Sequence, residues 1–380
     1  MSNLAPSLIQ NKDLPITKKV RNSNLELYRI IVMFLIVAHH YVCNSGLLEI
    51  IGTAPFTSTS ITMFIFGAWG KVGINCFVLI TGYFMCKSKI TWRKLGKLYL
   101  QIIFYSIAIY SIFCILGDNS FRLQSLISCL FPFKSVAKNF VSCFLIFYLL
   151  IPFLNLFLQH LNNRLHTYLV LLLVSIHSII PSVPTMEHTF NYVEWFVTLY
   201  FIAAWIRNYS STLRISHRQW GILSLISLLL SCLSIIVLCY YIKDKNMEPL
   251  KVWLMVFDCN KILALTTSVT TFMWFKDLQI KNYAWINTVG ATTFGILLIH
   301  AHSSAIMKFI WVDTFDVVGH LNESWLTSLA YAVAISLIVF IACSFIDWLR
   351  IKFIEERLLN VFENIFNKLF KNTKISALLD

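Results

Sequence analysis

Charge is scarce in this chain of 380 residues. Asp, Glu, Lys and Arg make up 13% of it, about half the share found in ordinary soluble domains. A soluble protein of this length needs far more polar surface to cover its core. Here 58% of the residues are hydrophobic and the mean hydropathy is +0.71. That balance argues against a cytosolic globular enzyme and against a disordered chain, and points to the bilayer as solvent. Acid is scarcer than base, 18 residues against 31, for a net charge of +13. The ten cysteines include no C-x-x-C pair, so zinc and thioredoxin sites lack their spacing. Most of them (Cys76, Cys114, Cys143, Cys232, Cys239, Cys343) sit in apolar runs and read as small hydrophobes. No apolar stretch precedes Leu25, so a cleavable signal peptide of the usual shape is not expected. No repeat at a fixed period and no linker to a second domain is visible.

A membrane-spanning helix needs about 20 mostly apolar residues. Ten such segments are expected, over 25–43, 62–85, 98–116, 140–158, 167–181, 190–206, 218–241, 253–275, 285–307 and 325–348. Breakers such as Gly117-Asp118-Asn119, Pro181 and Pro184 separate them. The fold class is therefore all-α and polytopic: a tail over 1–24, a ten-helix membrane domain over 25–349, and a second tail over 350–380. In that second tail Ile354, Leu358, Phe362, Ile365 and Leu369 recur at helical spacing. They predict an amphipathic helix on the inner membrane face or docked there as a collar.

The excess of base resembles that of a nucleic-acid binder, but its distribution says otherwise. With the N-terminus inside, 21 of the 31 basic residues fall in cytoplasmic links and tails and seven in outer links. This is the positive-inside bias of a cell-membrane protein with both termini in the cytoplasm. No nucleic-acid partner is needed to explain it. The densest cytoplasmic link carries Lys87, Lys89, Arg93, Lys94 and Lys97.

Ionisable residues inside spans are costly and become functional candidates by default. The first span holds Glu26, Arg29, His39 and His40. Arg29 and His40 are eleven residues apart, so on a helix they differ by only about 20° in direction and by ~16 Å in height. Glu26 lies about 60° from Arg29, and His39 points about 80° away. One reading has Arg29 snorkelling to the inner interface and pairing with Glu26, with the histidines as interfacial residues. It accounts for each residue singly and less well for their alignment. A second polar set has glycines at 67, 70 and 73, with Lys71, Asn75 and Thr81 among and after them. Glycines every three residues let a second helix approach closely; whether Lys71 then snorkels or meets a ligand stays open.

These residues carry a resemblance. Residues 24–40, with Arg29, ten intervening residues and His40, resemble the opening signature of the membrane-bound acyltransferase-3 family. Val72-Gly73-Ile74-Asn75-Cys76-Phe77-Val78-Leu79-Ile80-Thr81-Gly82-Tyr83-Phe84 is similar to its second-helix motif, with Thr81 where Ser is more usual. Asn191-Tyr192-Val193-Glu194-Trp195-Phe196 and Thr293-Phe294-Gly295-Ile296-Leu297-Leu298-Ile299-His300 resemble a middle and a late element.

The resemblance implies transfer of an acyl group, most often acetyl, from acyl-CoA to a hydroxyl of a cell-surface glycan or its lipid-linked precursor. CoA is polyanionic, so its phosphates are expected at a basic cytoplasmic mouth near Arg29 and the 87–97 loop. His40 is the expected reacting residue, as general base or as the carrier of an acyl-histidine intermediate, with His39 as the alternative base. Lys71, Asn75 and Thr81 are candidates to hold the oxyanion. Glu26, Trp195 and His300 join them as candidate substrate contacts. His300 and His302 fall on different helix faces, which argues against a shared metal, and no permanently bound cofactor is expected. A rival reading, a transporter or flippase for a glycan or small metabolite, uses the same buried charges as a pathway. It expects Gly/Pro-broken helices in matching positions of two halves, and these are not visible.

Overall fold

Short polar side chains set where the helices begin. Thr57 and Thr91 accept hydrogen bonds from the backbone N–H groups of Ser60 and Lys94. Asn139, Asn162 and Asn191 do the same for Val141, Leu165 and Val193. Each cap satisfies a donor that has no partner within its own helix. The computed structural model describes residues 23–117, 120–133, 139–183, 186, 190–242, 248–256 and 258–370. Most of the N-terminal tail, Asp118, Asn119, Pro184 and the last ten residues lie outside the described set, as does the side chain of Leu369. Among the described residues there is no strand.

The order runs α1 (Ser23–Cys43), α2 (Leu47–Thr53), α3 (Ser58–Gly67), α4 (Gly70–Met85), α5 (Trp92–Ile115), α6 (Leu123–Leu130), α7 (Phe140–Gln159) and α8 (Asn163–Val174). It continues with α9 (Ile180–Ser182), α10 (Tyr192–Tyr209), α11 (His217–Ile242), α12 (Ile262–Lys276), α13 (Ala284–His300), α14 (Ser304–Lys308), α15 (Trp325–Arg350) and α16 (Glu356–Phe370). Seven segments are long and apolar enough to cross a membrane; α3 with α4 forms one of them and α8 with α9 another. An eighth counts if α13 and the segment Ser304–Thr314, bent by 96° to it, are one span. The two other expected spans are also helical but differ in kind. α12 has 15 residues, which at 1.5 Å each is shorter than a hydrocarbon core of about 30 Å. Its expected first part, from residue 253, is a 3₁₀ turn and loop. α10 carries Glu194 and Arg207 and is walled by α4, α7 and α8. A helix screened from lipid by its neighbours can be less apolar than a lipid-facing one.

α1 is the hub, packed against α3, α4, α12, α13 and α15. The glycine triplet sets its closest approach. A Cβ built on Gly67 would lie 2.8 Å from Val42, one on Gly73 would lie 2.8 Å from Ile36, and one on Gly70 would run into the His39 ring. The pairs 42–67, 39–70 and 36–73 step three residues along both helices in opposite directions. The spacing of 67, 70 and 73 is therefore the antiparallel seam that seats α3–α4 against the histidine end of α1.

At the other end α15 runs through a π turn, Ile351–Glu355, into α16. Asp347, fully buried, accepts from Tyr105 Oη at 2.7 Å, Gln101 Nε2 at 3.3 Å and Arg350 Nε at 2.6 Å. Arg350 also pairs with Glu355 at 2.9 Å, and Lys97 meets the same carboxylate at 2.5 Å. Arg93 bonds Glu363 at 2.8 Å and Glu356 at 2.5 Å. Basic residues of the 87–97 stretch thus meet the C-terminal amphipathic helix and the turn before it along α5, with Phe362 seated where a side chain on Gly96 would clash.

Candidate active site

The stripe expected on α1 exists. Arg29, Met33, Ile36 and His40 recur at helical spacing, and the last three line a cavity of about 400 Å³. α4 adds Gly70, Lys71, Ile74 and Phe77; α5, α6, α7 and α10 add Ser106, Ser128, Ser142 and Tyr192; His302 follows α13. His39 lines the cavity as well, so both neighbouring histidines border one space despite their different directions on the helix.

His39 is held from behind. Its Nδ1 lies 2.6 Å from the Gly67 carbonyl and must donate, leaving Nε2 3.5 Å from the Cys43 sulfur. His40 Nδ1 lies 2.9 Å from Nε2 of His300, a fully buried ring whose Nδ1 is 2.6 Å from the Ile296 carbonyl. Lys71 faces the same cavity and donates to Tyr192 Oη at 2.9 Å. One cation, three imidazoles on the wall (His39, His40 and His302) and a fourth, His300, behind His40 are thus gathered where α1, α4 and α13 meet.

The remaining candidates fall elsewhere. Arg29 pairs with Glu26 at 3.4 Å and lies over the Phe77 ring, 5.7 Å from its centroid. Phe77 lines the cavity and Arg29 does not, so Arg29 lies against the back of a wall residue. Glu26 packs against Gly290 of α13. Asn75 is fully buried and does not line the cavity; its Nδ2 donates to the Cys259 carbonyl at 2.6 Å and its Oδ1 accepts from Trp195 Nε1 at 2.8 Å. Asn75 and Trp195 thus bind each other, tying α4 to α10. Thr81 bonds back to the Phe77 carbonyl at 2.9 Å and lies outside the cavity lining.

The residue-by-residue reading passed over Tyr192 and Cys43. Cys43 was legible at i,i+4 from His39; Tyr192 carries no local signal that it meets Lys71. A second cavity, about 920 Å³, lies by the 87–97 link. Lys87, Lys89, Trp92, Tyr148, Asn155 and Asn208 are among its walls.

The chain matches the acyltransferase-3 family, described as an acyltransferase domain, over residues 22–348, and it belongs to that family. It is a membrane acyltransferase. Comparison with curated proteins and with solved structures finds no match.

Proposed function

We propose that this chain is a ten-crossing O-acetyltransferase of the plasma or inner membrane, with both termini in the cytoplasm. It moves an acetyl group from acetyl-CoA to a hydroxyl of a cell-surface glycan or lipid-linked precursor, as in exopolysaccharide modification. The observation that carries this reading is the cavity that His39, His40 and Lys71 share at the upper end of the Arg29 stripe. In the proposed step Nε2 of His40 takes the proton of the acceptor hydroxyl as its oxygen attacks the thioester carbonyl. The Lys71 ammonium faces the oxyanion of the tetrahedral intermediate. Collapse expels the CoA thiolate, which takes the proton back from His40. The donor's phosphates meet Lys87 and Lys89 at the larger cavity, and Arg29 adds positive charge behind Phe77, on the α1 stripe below the smaller one.

The test is transfer of labelled acetyl from acetyl-CoA to glycan in membranes carrying the full-length protein. His40→Ala is expected to lower the rate by about 10²- to 10⁴-fold, the range for loss of a general base. Arg29→Ala is expected to raise KM for acetyl-CoA more than it lowers kcat. Unchanged transfer in His40→Ala, in His39→Ala and in their double variant overturns the histidine assignment. A wild-type protein that carries glycan across the membrane without acetylating it favours the transporter.

A further inference from the structure

Two helices end at the same point. His40 lies in the last turn of α1 and His300 is the last residue of α13. Their rings are hydrogen-bonded, His40 Nδ1 to His300 Nε2, at 2.9 Å. The far side of the second ring decides which atom carries the proton. His300 Nδ1 is 2.6 Å from the Ile296 carbonyl, and a carbonyl only accepts, so that nitrogen carries hydrogen. A neutral imidazole protonated at Nδ1 has its lone pair on Nε2. His40 Nδ1 must then be the donor, and the lone pair of His40 sits on Nε2, across the ring from His300. His40 lines the cavity and His300 does not.

We propose that His300 is a positioning and proton-relay residue for His40: it fixes the tautomer that leaves Nε2 of His40 as base, and it accepts the Nδ1 proton when Nε2 is protonated. This rests on the acyl-transfer reading above. Protons balance through the cycle. The acceptor hydroxyl gives its proton to His40 Nε2, and the Nδ1 proton of His40 passes to His300 Nε2. When the CoA thiolate leaves it takes the proton from His40 Nε2, and the shared proton returns to His40 Nδ1.

Two features make His300 a fitting acceptor. The C-terminal end of a helix carries partial negative charge, and both rings sit at such an end. A protonated His300 also strengthens its bond to the Ile296 carbonyl. Among the described residues no carboxylate bonds either ring. His300 therefore occupies the place that an orienting carboxylate holds in a Ser-His-Asp site. The shared proton comes to rest on a ring outside the cavity that His40 shares with Lys71.

The test pairs kinetics with ¹⁵N-histidine NMR of the purified full-length protein, the His40 signals being assigned by their loss in His40→Gln. In the wild type, His40 is expected to be protonated at Nδ1 and bare at Nε2. His300→Leu is expected to remove that preference and lower kcat by about 10²-fold, with KM for acetyl-CoA within about threefold. Gln at this position offers an oxygen that accepts from Nδ1–H and cannot take up the proton. His300→Gln is therefore expected to restore the tautomer and to recover only part of kcat, about tenfold over His300→Leu. His40 protonated at Nε2 in the wild type overturns the proposal, as does wild-type kcat in either variant. If His300→Leu does not insert, the wild type and His300→Gln still decide. The tautomer is read without turnover, so its failure is distinct from a failure of the acyl-transfer reading.

Discussion

Gly73 and Ile36 show how one missing side chain positions the candidate site. Their contact leaves no room for a methyl group, since a Cβ on Gly73 would lie 2.8 Å from Ile36 Cγ1 and 3.3 Å from the Val32 carbonyl. Gly73→Ala is expected to destabilise by about 1–3 kcal/mol, the usual cost of overpacking. Ile36→Ala removes the clashing atom, so the two changes should couple by about 1 kcal/mol in a double-mutant cycle. Unfolding of the variants in detergent measures this, and strict additivity argues against the seam. Asn75 is a different case: it looks like a candidate ligand, yet both ends of its amide are spent on Cys259 and Trp195. Trp195→Phe leaves a buried carbonyl oxygen without its donor and is expected to cost about 1–3 kcal/mol. Its effect should appear in stability, with KM for the donor unchanged. A raised KM at wild-type stability points instead to a substrate role.

Among the elements, the charges at the end of the bundle away from the histidines separate what holds α16 from what decorates it. The Arg93 pairs are exposed, with 45% of the arginine side chain and 68% of Glu356 open to solvent. Such pairs are worth about 0–1 kcal/mol. Asp347 is fully buried and takes three donors, and removing one partner of a buried ionic network costs about 3–5 kcal/mol. Asp347→Ala is therefore expected to expose α16 to protease and lower stability strongly, while Arg93→Ala does neither. Equal effects contradict this ordering. The docking was half legible: the period of Phe362 and Ile365 predicts the amphipathic helix, and the 87–97 charges read as a topology signal. That Arg93 and Lys97 are claimed by Glu355, Glu356 and Glu363 follows only from the fold, since the partners are some 260 residues apart. α10 has the same lesson for span counting, since a helix walled by its neighbours loses the apolar uniformity on which such counting relies, whereas α12 falls short by length.

For the whole molecule, the parts set by local spacing were readable and those set by convergence were not. The Arg29–His40 stripe and the 67–70–73 triplet follow from helical period alone, and both stand in the structure. That His40 meets His300 does not, because the pair is made by α1 and α13 from opposite ends of the chain. A membrane protein that binds acyl-CoA in its native state must be stabilised by it, by about 2.7 kcal/mol at a hundred times Kd. Thermal unfolding of the purified protein should rise with acetyl-CoA, and rise less in Arg29→Ala. No rise at saturating acetyl-CoA argues against the donor.

The most direct measurement is glycan analysis of cells that carry the wild type or His40→Ala at equal protein level in the membrane. The expected result is an O-linked acetyl group present with the wild type and lost with His40→Ala. Full acetylation with His40→Ala, persisting when His39→Ala is added, would contradict a histidine-centred acyl transfer in this cavity.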